Sequence, residues 1–133
     1  MAKAISDIYV TTLDVMSRPD IYQRLDRARE IELTVKGRKS GNDIPRPVNF
    51  VREGKTLYLL PVRGSDTNWY KNMLANPMLK LSLNDTEVLS AKGRHITDGT
   101  QVADVVRKFK SRYSEADVKK YYSKFDVAVE VPL

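Results

Sequence analysis

The sequence predicts an α+β domain of mostly antiparallel strands, or a small barrel built from them. Three observations carry that expectation. The hydrophobic period changes near Glu30 from a helical spacing to strict alternation. Short apolar or alternating runs then recur between turn residues. Helical stripes are grouped between and around those runs, whereas a doubly wound parallel sheet needs strands and helices alternating one for one. At 133 residues the chain suits one domain that can bury a core without metals or disulfides.

Taken in order, Ile5, Ile8, Tyr9, Leu13 and Met16 share one helical stripe and predict a short N-terminal helix. Pro19 sits where a first helical turn accepts it, and Ile21, Leu25 and Ala28 continue a second helix. Ile31, Leu33 and Val35 then alternate with Glu32, Thr34 and Lys36, which marks a strand with one buried face. Gly37 to Gly41 makes the turn, with Asn42 and Asp43 extending the loop. Val48 to Val51 reads as a second strand, Glu53-Gly54-Lys55 as a tight turn, and Thr56 to Val62 as a third strand. The run Leu57-Tyr58-Leu59-Leu60 is apolar on both faces, so this third strand is expected to be central. Asp66 or Thr67 is placed to cap a helix carrying Trp69, Tyr70, Met73 and Leu74, which Asn76-Pro77 stops.

Leu79, Leu81 and Leu83 alternate with Lys80, Ser82 and Asn84 as a fourth strand, and Asn84-Asp85 turns the chain into a fifth, Thr86 to Ile96. Asp98-Gly99-Thr100 opens a helix whose Val102, Val105, Val106, Phe109 and Tyr113 recur at spacings of three and four. A further helix runs from Ser114 to about Lys124 with Val118, Tyr121 and Tyr122. Val127, Val129 and Val131 close the chain as a sixth strand.

Composition narrows the function. Twenty-three Lys and Arg against 17 Asp and Glu give a net charge of +6, a surplus that attracts polyanions such as nucleic acid, acidic lipid or a phosphorylated cofactor. Asp26, Glu30, Glu32, Asp43 and Glu53 interrupt the basic segments, so nucleic acid is not the expected partner. The absence of cysteine excludes a disulfide framework and a thiolate nucleophile. His95 is the single histidine, expected on a surface strand, and no metal site is expected. Ser40, Ser65 and Ser90 lack a Gly-x-Ser-x-Gly context, which removes the serine hydrolase reading. No apolar run approaches the ~20 residues of a membrane span, and the first residues lack the order of a secretory signal. Cytoplasmic residence is the expectation.

Two segments hold the candidate chemistry. Gly37-Arg38-Lys39-Ser40-Gly41 combines turn-forming glycines with a guanidinium, an ammonium and a hydroxyl. Turns of this kind commonly serve as solvated hairpins, but their amides and cations can also converge on a phosphate. The second segment, Arg63-Gly64-Ser65-Asp66-Thr67-Asn68-Trp69-Tyr70, follows the central strand at Val62 and leads into a helix N-terminus, a ready anion site. Trp69 and Tyr70 are adjacent, so one of them is expected to face a ligand and the other the core. Tyr113, Tyr121 and Tyr122 on the late helices are candidates to line a mouth for a planar substrate, although a stripe packed on the sheet explains them as well. Neither glycine segment offers a nucleophile or an acid–base pair. Redox chemistry carried by a bound molecule is therefore expected.

Gly-Arg-Lys-Ser-Gly (37–41), Pro47-Val48, Gly54 with Leu57-Tyr58-Leu59-Leu60, Gly64-Ser65, Trp69-Tyr70-Lys71-Asn72 and Ala75-Asn76-Pro77 together resemble the deazaflavin-dependent nitroreductase family. That family belongs to the split β-barrel flavin- and deazaflavin-binding superfamily, which also holds pyridoxamine-phosphate-oxidase-like proteins. The resemblance covers roughly residues 30–133. It implies a six-stranded, mostly antiparallel split barrel with flanking helices. Residues 1–133 are read as a single domain, in which 1–28, matching nothing in the family, form an N-terminal helical extension. It implies an oxidoreductase that passes hydride from reduced coenzyme F420 to an electron-poor acceptor, a quinone, nitro or enone compound. Arg38, Lys39, Ser40 and Gly41 would meet the phosphate and acidic tail, and Val62, Arg63, Gly64 and Ser65 the phosphate and linker side. Trp69 and Tyr70 would lie near the ring, and Tyr113, Tyr121 and Tyr122 would shape the substrate pocket together with Trp69. No side chain is assigned a catalytic role. The segment Ser65-Asp66-Thr67-Asn68 is shorter than the family's Gly-rich loop and lacks its His-Pro, which leaves FMN in place of F420, or a noncatalytic flavin- or haem-binding role, as the alternative. Pairing through the sheets into a homodimer is a further implication.

Overall fold

The computed structural model describes residues 18–84 and 86–133. The helix expected through Ile5 to Met16 lies outside them. The described residues contain four α-helices and two four-stranded sheets, whose ladders are all antiparallel.

Helix α1 (Arg18–Arg27) leads into β1 (Ile31–Lys36) and β2 (Asp43–Val48). The first sheet runs β2-β1-β5-β6, with β5 at Met78–Leu83 and β6 at Thr86–Lys92. Strand β1 realises the predicted alternation, burying Ile31, Leu33 and Val35 while Glu32 and Lys36 stay exposed. Strand β2 carries Pro45 and Pro47, which lack a ladder donor, and it accordingly sits at a sheet edge.

The second sheet runs β3-β4-β8-β7, with β3 at Val51–Glu53, β4 at Thr56–Leu59, β7 at Arg94–Ile96 and β8 at Ala128–Pro132. Its two interior strands explain the run that is apolar on both faces. Leu57 and Leu59 join Val129 and Val131 in the core shared with the first sheet, α1 and α2 (Asn68–Ala75). Tyr58 and Leu60 turn to the opposite face, where α3 (Gly99–Tyr113) and α4 (Glu115–Tyr121) pack Val105, Phe109 and Val118 in a second cluster. Phe50 and Phe109 are 0% exposed, and burial of a side chain of this size stabilises by about 1.5–3 kcal/mol.

Sequence reasoning expected six strands, and eight are present among the described residues. The extra two arise because the chain twice passes from one sheet to the other within what reads as a single strand. The expected strand Val48 to Val51 straddles the first passage, where β2 ends at Val48 and β3 begins at Val51 in the other sheet. The expected strand Thr86 to Ile96 is broken at Gly93 into β6 and β7, again in different sheets. There a Cβ would stand 2.8 Å from Leu79 Cδ1 and 2.9 Å from Met73 Sδ, so any larger residue would have to push two buried side chains aside. Continuous alternation hides both passages, because each flanking segment keeps one buried face.

The helix ends follow elementary capping, with one exception. Asp98 accepts from the Gln101 amide at 3.0 Å, and Ser114 from the Asp117 amide at 3.2 Å. Thr67 holds the cap position of α2 but makes no side-chain cap bond; its Oγ1 instead accepts from the Arg63 amide at 2.9 Å. The last helix is shorter than expected, ending at Tyr121, and no described helix is long and apolar enough to cross a membrane.

Candidate functional site

The turn between β1 and β2 and the start of α2 face each other across a groove. A first cavity of about 280 Å³ is lined by Gly37, Arg38, Lys39 and Ser40 on one side and by Asn68, Trp69 and Asn72 on the other, with Ile44 and Arg46 of β2. A second, of about 420 Å³, shares Arg46, Asn68 and Trp69 with the first. It continues past Val62, Arg63 and Thr67 to Tyr121 and Tyr122. Trp69 therefore stands at the junction, with turn cations on one side and tyrosines on the other.

The local sequence explains why these groups meet. The Gly37 amide donates to the Asn42 carbonyl and the Gly41 amide to that of Gly37, both at 2.8 Å, which closes the turn and leaves Arg38, Lys39 and Ser40 at its exposed tip. The buried Asn72 anchors the turn to α2: its Oδ1 accepts from the Arg38 amide at 3.0 Å and from the Arg38 guanidinium at 2.8 Å. Arg46 shares a strand face with Ile44 and Val48, which pack on the margin of the core, and so reaches both cavities.

Cations line the groove. Elsewhere some cations meet carboxylates, as in Lys36–Asp43 at 2.6 Å, Arg52–Asp26 at 2.7 Å and Lys108–Glu53 at 2.9 Å. Others, Lys55 and Lys110 for example, make no ion pair among the described residues. Among the described residues Lys39, Arg46 and Arg63 make no ion pair. Cations left without a carboxylate along a concave surface suit an anionic ligand with more than one charged group.

Other candidates are placed elsewhere. Tyr70 is 3% exposed in the core between the sheets, its hydroxyl 3.2 Å from His95 Nδ1, and it lines neither cavity. Burial, with Asp126 adding to it, pushes its phenol up. Both aromatics join the core; Trp69 also lines the groove, whereas Tyr70, expected beside a bound ring, does not. Tyr113 is also buried and lines neither cavity. Its hydroxyl lies 2.8 Å from the Phe50 and Arg29 carbonyl oxygens and accepts from the Phe50 amide at 3.1 Å. It braces the passage between the sheets. His95 is exposed on β7.

Gly64 and Ser65 are occupied from within. Asp126 accepts from the Ser65 amide at 2.9 Å and from its hydroxyl at 2.5 Å, with Lys124 Nζ 3.6 Å away. A Cβ at Gly64 would meet Asp126 Oδ1 at 2.0 Å. Burial pushes the Asp126 carboxyl up, but the Ser65 hydroxyl and amide outweigh it and hold the group below the usual carboxylate range. The donors expected to face a cofactor phosphate are thus turned to a carboxylate 61 residues away. Sequence reasoning missed Arg46, Asn68, Asn72 and Asp126. Asn72 stood in the Trp69-Tyr70-Lys71-Asn72 run, and Arg46 lies between Pro45 and Pro47, just before the expected strand from Val48.

On the tyrosine side, Tyr122 is 6% exposed and its hydroxyl accepts from Asn49 Nδ2 at 3.5 Å, while Tyr121 is exposed. Burial pushes the Tyr122 phenol up, so it keeps its proton at neutral pH.

A family model, F420H(2)-dependent quinone reductase, matches residues 11–132. No curated protein matches the chain. Among solved structures, one named F420-H2 dependent reductase (FDR-A) is 20% identical, with 77% of this chain and 93% of that chain covered and a TM-score of 0.60. A Bacteroides thetaiotaomicron protein named for 5-nitroimidazole antibiotic resistance is 18% identical, with 87% and 79% covered and a TM-score of 0.66. The haem storage protein HutZ of Vibrio cholerae is 13% identical, with 86% and 88% covered and a TM-score of 0.63. At these identities the likeness to solved structures bears on the fold.

Proposed function

The chain belongs to the F420H(2)-dependent quinone reductase family, and from that premise we propose that the groove around Trp69 binds F420 and that the acceptor is a quinone. The protein is an F420-dependent reductase with F420 as its cofactor; the binding residues and the acceptor are the present reading. On this reading the two sheets form the split barrel of the superfamily.

The convergence of Lys39, Arg46 and Arg63 on a concave groove beside Trp69 carries the proposal. F420 is a flat redox ring joined to an anionic chain, and the groove offers Trp69 at its junction and Lys39, Arg46 and Arg63 without carboxylate partners. Lys39 and Arg46, with the part of the Arg38 guanidinium not bound to Asn72, would hold the phosphate and carboxylates. Ser40 adds a hydroxyl at the turn. Ser65, already bound to Asp126, is not available as a phosphate donor.

When bound, reduced F420 supplies a hydride. The chain's own part is to orient and shield. Trp69 borders the ring, and Tyr121 and Tyr122 form the far wall against which a planar acceptor lies. The Tyr122 hydroxyl, held by Asn49 and protonated at neutral pH, can donate a hydrogen bond to a quinone oxygen as negative charge develops there. A site without a nucleophile or a catalytic dyad is what such chemistry requires.

Titration of the purified protein with F420 and with FMN tests the reading. Saturable F420 binding and oxidation of reduced F420 by a quinone are expected. Binding of neither, or of FMN alone, would overturn it.

A further inference from the structure

The groove does not end at the tyrosine wall. At Glu30 and Pro47 the second cavity meets a third, of about 520 Å³, whose lining includes Arg24, Arg27, Arg29, Glu30 and Glu32. Part of this charge has a local explanation, because Arg24 and Arg27 lie in the last turn of α1, where cations complement the helix dipole. Arg29 lies beyond the helix end and has no such role. Its carbonyl is fixed by the Tyr113 hydroxyl at 2.8 Å, and its guanidinium carbon lies 5.9 Å from the Tyr113 ring centroid. Arg27 and Arg29 form no ion pair among the described residues, although two glutamates line the same cavity.

We infer that the acceptor carries an anionic group, a carboxylate, sulfonate or phosphate, which Arg27 and Arg29 hold in this third cavity while its electron-poor ring lies against Tyr121 and Tyr122. The inference deepens the reductase reading and rests on it. Order along the groove assigns the anion to the acceptor. The cations proposed for the cofactor's phosphate and tail, Lys39 and Arg46, line the first cavity on the other side of Trp69, whereas the arginine cavity shares lining residues with the tyrosine cavity and none with the first. Glu30 stands at the neck between the cavities and repels a negative group lodged there, so the anion must reach past it. Neutral quinones leave the arginines unused. An anionic quinone gains charge-assisted hydrogen bonds without any change at the reacting ring.

The test compares menadione with a derivative that carries a sulfonate at the end of a short alkyl chain, two acceptors with one redox core, in steady-state oxidation of reduced F420. The unsubstituted protein should favour the sulfonate in kcat/KM. The Arg27→Gln/Arg29→Gln double variant should lose about tenfold or more of the sulfonate's kcat/KM, chiefly through KM. Turnover of menadione and the Kd for F420 should stay within about twofold, the scatter of ordinary surface changes. The Arg27→Lys/Arg29→Lys variant should recover part of the loss, since it keeps the charge but not the fork.

Equal losses for both acceptors would overturn the inference by showing a structural role. A fall in F420 affinity with acceptor preference unchanged would overturn it by giving the cavity to the cofactor's own carboxylates. If the unsubstituted protein reduces neither acceptor, the reductase reading fails and this inference fails with it. Turnover of menadione with no preference for the sulfonate sinks the inference alone.

Discussion

The two glycine turns beside Trp69 use similar residue types and reach opposite states. At Gly37–Gly41 the cations face a cavity, and Lys39 has no acidic partner among the described residues. At Gly64–Asp66 the amide and hydroxyl of Ser65 are bound to Asp126, and Asp66 pairs with Lys124 at 3.2 Å. One turn is left open to an outside anion and the other is filled by an inside one. The difference lies in a carboxylate contributed from the segment after α4. Glycine, charge and hydroxyl in a turn therefore define a donor set, and tertiary structure decides what fills it.

The largest effect expected from this contrast is on ligand binding at the open turn. Lys39→Glu combined with Arg46→Glu should raise the F420 Kd a hundredfold or more, since each charge-assisted contact is worth about 1.5–3 kcal/mol. Thermal unfolding should barely move, because neither cation has an acidic partner among the described residues. A large drop in Tm with affinity unchanged would break the contrast.

The filled turn should show the reverse pattern. Gly64 has φ +52° and its missing Cβ would meet Asp126 Oδ1, so Gly64→Ala should cost about 3 kcal/mol in urea unfolding. Gly41 has φ +74° but open space around a Cβ. Gly41→Ala should cost only the backbone term, about 1–2 kcal/mol. Equal costs would mean that Asp126 does not fill the second turn in solution.

Asn72→Ala removes the acceptor for both Arg38 donors. It should destabilise the fold by about 1 kcal/mol and weaken F420 about tenfold by freeing the turn. The smallest effect concerns pH. Because the Asp126 carboxyl is held below its usual range in the folded chain, its stabilisation is present above the ordinary carboxylate range and is lost as pH falls through the depressed value, below about pH 4. Asp126→Asn should flatten that part of the stability profile, modestly, because the side chain is 39% exposed. An unchanged profile would remove Asp126 as the internal anion.

Local pattern carried much of the fold. Strands β1 and β5, helix α3 and the interior position of β4 follow from period and from two-faced apolarity, which depend on neighbours in sequence. The passages between sheets at Asn49-Phe50 and Gly93 do not, since a strand that changes partners keeps its alternation. The site shows the same division. That Trp69 and Tyr70 must point apart is a property of adjacent helical positions. Which of them meets the groove depends on packing against the sheets, as does the burial of Tyr113. Asp126 was illegible because its partner lies 61 residues away, with no spacing to signal the pair.

The Tyr113 hydroxyl, fastened to the Phe50 backbone and to the Arg29 carbonyl, works as a tie between the late helices and the first passage between sheets. On the proposed reading, a bulky acceptor pressing on Tyr122 would meet a braced wall and not a hinged flap. Selection by size should follow from fixed shape alone, with little adjustment of the protein to its guest.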